Sequence, residues 1–497
     1  MRTKTRSSAI SPVVVWFRRD LRLSDHPALK AAIETGAPII PVYVLDDASS
    51  GDWRAGGASR WWLAQSLRSL DESMRKLGSR LLLRRGEAAK ALASLANEAE
   101  ASAVYFTRAY EPFQRRLEDR LKNELGVHGV ECHRFGGQIL LEPERLLNKS
   151  GEAFRVYSAF HRALAAQDRI LRPLPAPAKL SAPDRWPESE ILEDWKLEPT
   201  YPDWAGGLRA AWTAGEVAAR CRLTNFIGGM IQDYARHRNS PGMDGTSKLS
   251  PHLAFGELSP RQVWHAVLAA AQAAGEPSLG DAYLREMTWR EFSYHLLFHF
   301  PELPEKPLKP QFERFPWRSD DGTLRAWQKG KTGYPIVDAG MRQLWQTGWM
   351  HNRVRMITAS FLIKHLLIPW QTGEAWFWDT LVDADLANNA ASWQWVAGSG
   401  VDATPYFRIF NPVLQGEKFD PDGDYVRRFC PELAEVPASV VHKPWQADPA
   451  TLAKAGVELG KTYPCPIVDH NRARQRALAA YQTAVQKQGQ AWANIAP

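Results

Sequence analysis

Cysteine is scarce in this chain: four residues in 497, namely Cys132, Cys221, Cys430 and Cys465. They stand far apart, with no C-x-x-C pair and no zinc-ligand spacing. The sequence therefore offers neither a disulfide framework nor a thiolate metal site, and we read four free thiols in a reducing, cytoplasmic compartment. A chain this long buries a large core without such staples. Long apolar runs are also missing, and none approaches the ~18 residues of a membrane span. The opening MRTKTRSSAIS has two arginines and a lysine but no apolar h-region, so it is read as a short disordered tail and not a secretory signal. No G-x-G-x-x-G follows the first strand pattern, so the dinucleotide fingerprint is absent. GKTG at 330–333 resembles the end of a Walker A loop. That motif needs glycine where this chain has Arg325, and a turn between helices is the better reading. No repeat of fixed period is visible.

The bulk of what remains is ordinary for a soluble globular protein, with 44% hydrophobic and 24% charged residues. Length gives a prior of roughly three domains, and two larger ones fit equally well. A net charge of +7 weakly favours a polyanionic partner. The 21 tryptophans are more informative. Most should be core anchors with one polar handle, but some keep unusual company.

The first part alternates strand and helix patterns. VVVWF, APIIPVYVLD, SRLLLRRG and SAVYFTR read as strands; LKAAIETG, SRWWLAQSLRSLDESMRKLG and EAAKALASLANEAEA read as helices. This implies βαβ units and a parallel sheet over residues 1–142. Residues 143–205 are rich in proline (RPLPAPAKLSAPDRWP, EPTYPDW) and read as a linker that wraps one domain around the other. From 206 to 485 the patterns are helical: GEVAARCRLTNFIGGMIQDYARHR, SPRQVWHAVLAAAQAAG, LGDAYLREMTWREFSYHLLFHF, YPIVDAGMRQLWQTG and HNRVRMITASFLIKHLL. The fold class is thus an α/β domain joined by a long linker to an all-α domain.

Several chemistry-bearing residues share helix faces. Glu286, Trp289 and Arg290 stand at i, i+3 and i+4, an uncommon way to build a core face. Asn352 and Met356 are one turn apart, flanked by Arg353 and Arg355. An amide beside a polarizable thioether suits a planar heterocycle. Asp385, Asn389 and Trp393 line one stripe at i, i+4 and i+8, while Trp395 points nearly the opposite way. GTSKLSPHL places Thr246, Ser247 and Ser250 before a helix start, which suits a phosphate. Against each stands a plainer reading: a half-buried Trp beside a surface ion pair, a structural Asn, core indoles, an ordinary N-cap.

Together these stretches resemble the photolyase/cryptochrome family, and within it the bacterial cyclobutane pyrimidine dimer (CPD) photolyases. The resemblance covers nearly the whole chain, through VVVWFRRDLRLSDHPAL, GTSKLSP, WREF, KTGYPIVDAGMRQL, TGWMHNRVRMITASFLIKHLL, DADLANNAASWQWVAGSGVDATPYFRIFNP and QGEKFDPDGDYVRRF. It implies a Rossmann-like N-terminal domain, a helical domain holding FAD in a U shape, and a carbon–carbon lyase activity. Light excites fully reduced FADH⁻, which lends an electron to a thymine dimer flipped out of DNA.

The resemblance also implies residue roles. Tyr234, Thr246, Ser247 and Ser250 resemble flavin phosphate and ribitol contacts, and Arg290 another FAD contact. Arg355 and Asp383 resemble the ion pair flanking the isoalloxazine, with Asp385 near the ring edge and Asn389 at N5. An amide there donates to a bare N5 or accepts from N5–H, whereas plant cryptochromes carry a carboxylate. Glu286, Trp289, Asn352, Met356 and Trp395 resemble the dimer pocket; Arg238, Arg353 and Arg408 resemble phosphate contacts. Trp393, Trp370 and Trp317 occupy the positions of the tryptophan chain that photoreduces FAD. A (6-4) photolyase is disfavoured, because its proton-donating histidine is replaced by Asn352. A non-repairing cryptochrome photoreceptor is the other alternative; against it stand Asn389 and a short run, RQRALAAYQTAVQKQGQ, in place of a long signalling extension. An antenna is expected, methenyltetrahydrofolate first and a deazaflavin second, although the Asn-Glu pair of folate-binding members is missing from YEPFQRRLED. UV-damaged DNA is the expected partner, on a monomer, with no metal.

Overall fold

The computed structural model describes residues 10–167, 170–402 and 407–493, with side chains to 484. The N-terminal stretch read as a tail falls largely outside these residues.

Alternation along the first strand, β1 (Val13–Phe17), decides the architecture around it. Val13, Val15 and Phe17 enter one apolar cluster, and Val14 and Trp16 enter another. A strand buried on both faces belongs in the middle of a covered parallel sheet. It pairs with β2 (Ile39–Leu45) on one side and β4 (Ala103–Thr107) on the other, with β3 (Leu82–Arg85) and β5 (Glu131–Phe135) at the edges. All five strands are parallel, in the order β3-β2-β1-β4-β5. The Pro27–Glu34 and Gly57–Lys76 helices cover one face; Ala88–Glu98 and Pro112–Val127 cover the other. The sequence reading passed over β5. Its residues, ECHRF, are mostly polar and none is buried, at an edge where no apolar run marks a strand.

The proline-rich segment is mostly irregular, apart from the Tyr157–Ala165 helix and short 3₁₀ turns. It holds both parts of the molecule. Ile39 donates to the Ser181 carbonyl and Leu180 to that of Leu77 on the α/β side. Phe160 and Leu164 are buried in the helical core.

Beyond residue 206 the described residues hold helices and one isolated bridge, Leu459 with Tyr463. Two segments whose periodicity reads as single helices contain π turns, at Phe226–Met230 and Phe361–His365. Such turns are rare and are often found at functional sites. The boundary between the α/β and helical parts is locked by buried polar groups. Glu216 accepts from the Leu23 and Ser24 backbone N–H groups at 2.7 and 3.2 Å, and Glu257 accepts from the Trp62 indole at 3.0 Å. Satisfied buried pairs of this kind leave little freedom for relative motion.

Candidate active site

The Leu386–Ala397 helix starts where the Asp385 carboxylate caps it, accepting from the Asn388 N–H at 2.9 Å. Asn389 and Trp393 then follow on one buried face, as the spacing requires. The Asn389 amide nitrogen donates to the Glu374 carbonyl at 3.0 Å, which orients the amide. Trp393 lies tight against the Trp370–Thr380 helix. A Cβ at Gly373 would stand 2.2 Å from the Trp393 ring, so only glycine admits the indole there. Trp395 is half-buried. Asp385 is more heavily engaged than a free ring-edge carboxylate: one oxygen caps the helix, and the other accepts from the Tyr294 hydroxyl and lies 3.8 Å from Arg19.

The Asn352–Ser360 helix presents the second group. Asn352 is exposed at its first position, and Met356 is half-buried one turn on. Arg355 pairs with Asp383 at 2.8 Å and donates to the Met350 carbonyl at 2.7 Å. Asp383 keeps its other oxygen, Oδ1, buried with no protein partner among the described residues. A carboxylate oxygen held this way suits an N–H or O–H donor of a bound polar heterocycle. Arg353 is anchored by Asn239 Oδ1 at 2.7 Å and touches the Met356 sulfur at 3.6 Å.

His351 caps this helix through Nδ1, which accepts from the Arg353 N–H at 3.2 Å. Burial first, then Arg353 and Arg355, lower its pKa to about 4. The unfolded chain protonates a histidine near ~6.5. Between those values the unfolded state holds the extra proton, so stability falls as pH drops from about 6.5 toward 4. His295 and His365, each lowered to about 3 by burial first, act in the same direction. The expected result is a melting temperature that declines across that window, less steeply in His351→Asn, which keeps a capping acceptor. An unchanged slope in the variant would remove His351 from the account.

The Asp281–His299 helix carries the third group and corrects one reading. Glu286 pairs with Arg238 at 2.7 Å, not with Arg290 on its own helix. Arg290 is buried, pairs with Glu291 at 3.0 Å and donates to the Gln138 carbonyl at 3.0 Å. The expected single face of Glu286, Trp289 and Arg290 therefore divides: the first two are half-buried, and the guanidinium is committed to the α/β side. Arg353 has its pKa lowered by burial first, then by Arg238 and Arg408, so these three cations and Glu286 share one locale. Arg408 is exposed, over the Phe410 ring at 4.8 Å.

The residues of the expected phosphate site are held by neighbouring aromatic side chains. Ser250 opens a helix of only five residues, Ser250–Ala254, too short for a strong dipole. Its hydroxyl accepts from the Trp349 indole at 3.2 Å. Ser247 is buried and shares a 3.0 Å hydrogen bond with Tyr283. Thr246 is half-buried, and Tyr234 is buried, edge-on to Tyr283 at 5.2 Å. Tyr283 and Trp349 are neighbours that no local pattern singled out.

Trp393 and Trp370 are 2% and 1% exposed, and Trp317 is half-buried. The rings beside Trp393 include Phe377 at 5.0 Å and Trp327 at 6.4 Å. Trp327 was missed because nothing local distinguishes it from any core indole.

A separate cavity of about 900 Å³ lies between the α/β and helical parts, lined by Trp53, Arg54 and Arg60 on one side and Glu305, Glu374 and Trp378 on the other. None of the residues chosen from the sequence lines it. Glu374 is fully buried there, neither oxygen having a partner among the described residues, and burial raises its pKa well above the usual carboxylate value. The stretch YEPFQRRLED is tied to the residues after the first strand: Gln114 accepts from Arg18 at 2.9 Å, and Glu111 lies 3.5 Å from Arg19.

The fold and site define a two-part protein: a three-layer α/β domain tied to a helical domain that gathers a buried amide, an arginine–aspartate pair and half-buried tryptophans. Comparison with known proteins narrows it. A family model for DNA photolyase matches residues 13–178, and one for the FAD binding domain of DNA photolyase matches residues 283–483. The chain is 55% identical to a deoxyribodipyrimidine photo-lyase of Agrobacterium fabrum, over 95% of this chain and 98% of that one. It is 39% identical to Cryptochrome-1 of Arabidopsis thaliana, over 93% of this chain and 69% of that one. A crystal structure of a bacterial class III photolyase from Agrobacterium tumefaciens superposes with a TM-score of 0.93 at 54% identity, covering 98% of this chain and 100% of that one. This chain belongs to the DNA photolyase family.

Proposed function

We propose that this protein repairs cyclobutane pyrimidine dimers in DNA in a light-driven reaction with FAD. The observation that carries the reading is the buried Asn389, its amide nitrogen held by the Glu374 carbonyl, on the helix that follows the Arg355–Asp383 pair. That bond uses one of the two amide N–H groups and orients the amide, leaving a second N–H donor and the Oδ1 acceptor for a ring nitrogen in either protonation state. Fully reduced FAD, when bound, supplies a photoexcited electron to the dimer and takes it back.

The other roles follow from the chain itself. Tyr234, Thr246, Ser247, Ser250, Arg290, Arg355, Asp383, Asp385 and Asn389 hold the cofactor; for Arg290 and Asp385 the contact is shared with their protein partners. Glu286, Trp289, Asn352, Met356 and Trp395 receive the extruded dimer, which leaves the helix more cheaply than a paired base. Arg238, Arg353 and Arg408 grip the flanking phosphates, a sequence-independent and salt-sensitive attachment. Trp393, Trp370 and Trp317 deliver reducing equivalents to the cofactor. The work divides among an antenna domain (1–142), a linker (143–205) and a catalytic domain (206–485). The cavity between the domains suits an antenna, methenyltetrahydrofolate before a deazaflavin, with the Trp53–Trp378 edge contact as an aromatic wall. No helix of the described residues is long and apolar enough to cross a membrane. We assign the protein to the cytoplasm, acting as a monomer on UV-damaged DNA.

The test uses holo-protein with its flavin reduced, mixed with UV-irradiated oligothymidine in blue light and in darkness. Thymine absorbance should recover in the light alone. A flat trace in light, with reduced flavin present, would overturn the reading.

A further inference from the structure

Trp289 does not stand alone. Tyr157, from the helix in the interdomain segment, lies face to face with it, ring centroids 3.7 Å apart and planes 3° from parallel. Aromatic pairs more commonly sit ~4.5–7 Å apart, so this overlap is unusually full. The tyrosine is itself held. Its hydroxyl donates to the Arg285 carbonyl at 2.7 Å, one turn before Trp289. His161, one turn along its own helix, lies near-parallel at 5.8 Å and 19°, and the His161 ring reaches Thr288 Oγ1 at 3.3 Å. Phe292 closes the edges of both rings, at 6.0 Å from Tyr157 and 5.9 Å from Trp289. The helix bearing Tyr157 is rooted by Phe160 and Leu164 in the helical core.

We propose that Tyr157 is a positioning residue for lesion recognition: by covering one face of Trp289 it fixes the indole plane, so that a flipped pyrimidine meets a rigid stacking platform. This rests on the assignment of Trp289 to the dimer pocket. The physical advantage is entropic. A half-exposed indole samples several rotamers and must be immobilised on binding; one already stacked loses little more. The interdomain segment thereby takes part in substrate binding, although none of its residues has to touch DNA.

The test is a double-mutant cycle on holo-protein in darkness, reading the Kd for an oligonucleotide with one thymine dimer and for its undamaged counterpart. Tyr157→Leu should weaken lesion binding by about 2- to 13-fold, the range of an aromatic pair. Binding of undamaged DNA and flavin content should not change. Tyr157→Phe, which keeps the ring and loses the hydroxyl, should restore most of the affinity. In a Trp289→Ala background, Tyr157→Leu should add nothing, because the indole it positions is gone. Additive losses would overturn the proposal, as would a Phe variant as weak as the Leu variant, or parallel losses of lesion affinity, undamaged-DNA affinity and flavin. If Trp289→Ala alone leaves lesion affinity intact, the pocket assignment fails and this proposal with it, whereas light-dependent repair, measured separately, can still hold.

Discussion

Arg355→Leu is expected to yield a protein that retains little flavin and unfolds about 3–5 kcal/mol more easily. The size follows from the partner left behind. The Asp383 side chain is 2% exposed and pairs with Arg355 through one oxygen, while the other has no partner among the described residues. Removing the guanidinium strands a buried carboxylate, which is far costlier than removing both charges. Asp383→Asn added to Arg355→Leu should therefore recover part of the stability. It should not recover the flavin if the charges also orient the cofactor. Urea unfolding and the ratio of flavin to protein absorbance measure the two effects. A variant within about 0.5 kcal/mol of the parent, like an ordinary surface change, and still yellow, would show that the pair matters to neither.

Trp395→Ala should weaken binding of dimer-containing DNA by about 5- to 160-fold, equivalent to the ~1–3 kcal/mol of one base stacked on an aromatic ring. Undamaged DNA should bind as before, because its attachment runs through phosphates. Specificity is the ratio of the two affinities, so it should fall by the same factor. Glu286 reinforces this division. In the free protein it neutralises Arg238 at 2.7 Å, so a phosphate must compete for that guanidinium. Charge then contributes grip, and the indole contributes discrimination. Equal losses on both DNAs, read by titration at fixed salt, would place Trp395 outside the lesion pocket.

Much of this arrangement was legible without coordinates where it depends on short range. Asn389 and Trp393 share a face because 3.6 residues per turn puts them there, whereas Asp385, expected on the same stripe, stands outside the helix as its cap; β1 was readable because its apolar run is buried on both sides. β5 was not, because an edge strand with a polar sequence carries no such signal. The long motifs from GTSKLSP to QGEKFDPDGDYVRRF identified the family, because long runs of specific residues do not agree by chance. They did not reveal that Asp385 is already capping a helix and accepting from Tyr294.

The sequence by itself determined the succession of an α/β part and a helical part and which residues can share a helix face, because these follow from local geometry and residue chemistry. Only the tertiary structure decided who pairs with whom: Arg238 with Glu286, Arg290 with Glu291 and the Gln138 carbonyl, the Asn389 amide with the Glu374 carbonyl, Tyr157 with Trp289. Most of these partners lie on separate elements, brought together by burial of apolar surface that has no direction of its own. Side-chain pairing is settled by the packing that follows, which no periodicity along the chain encodes.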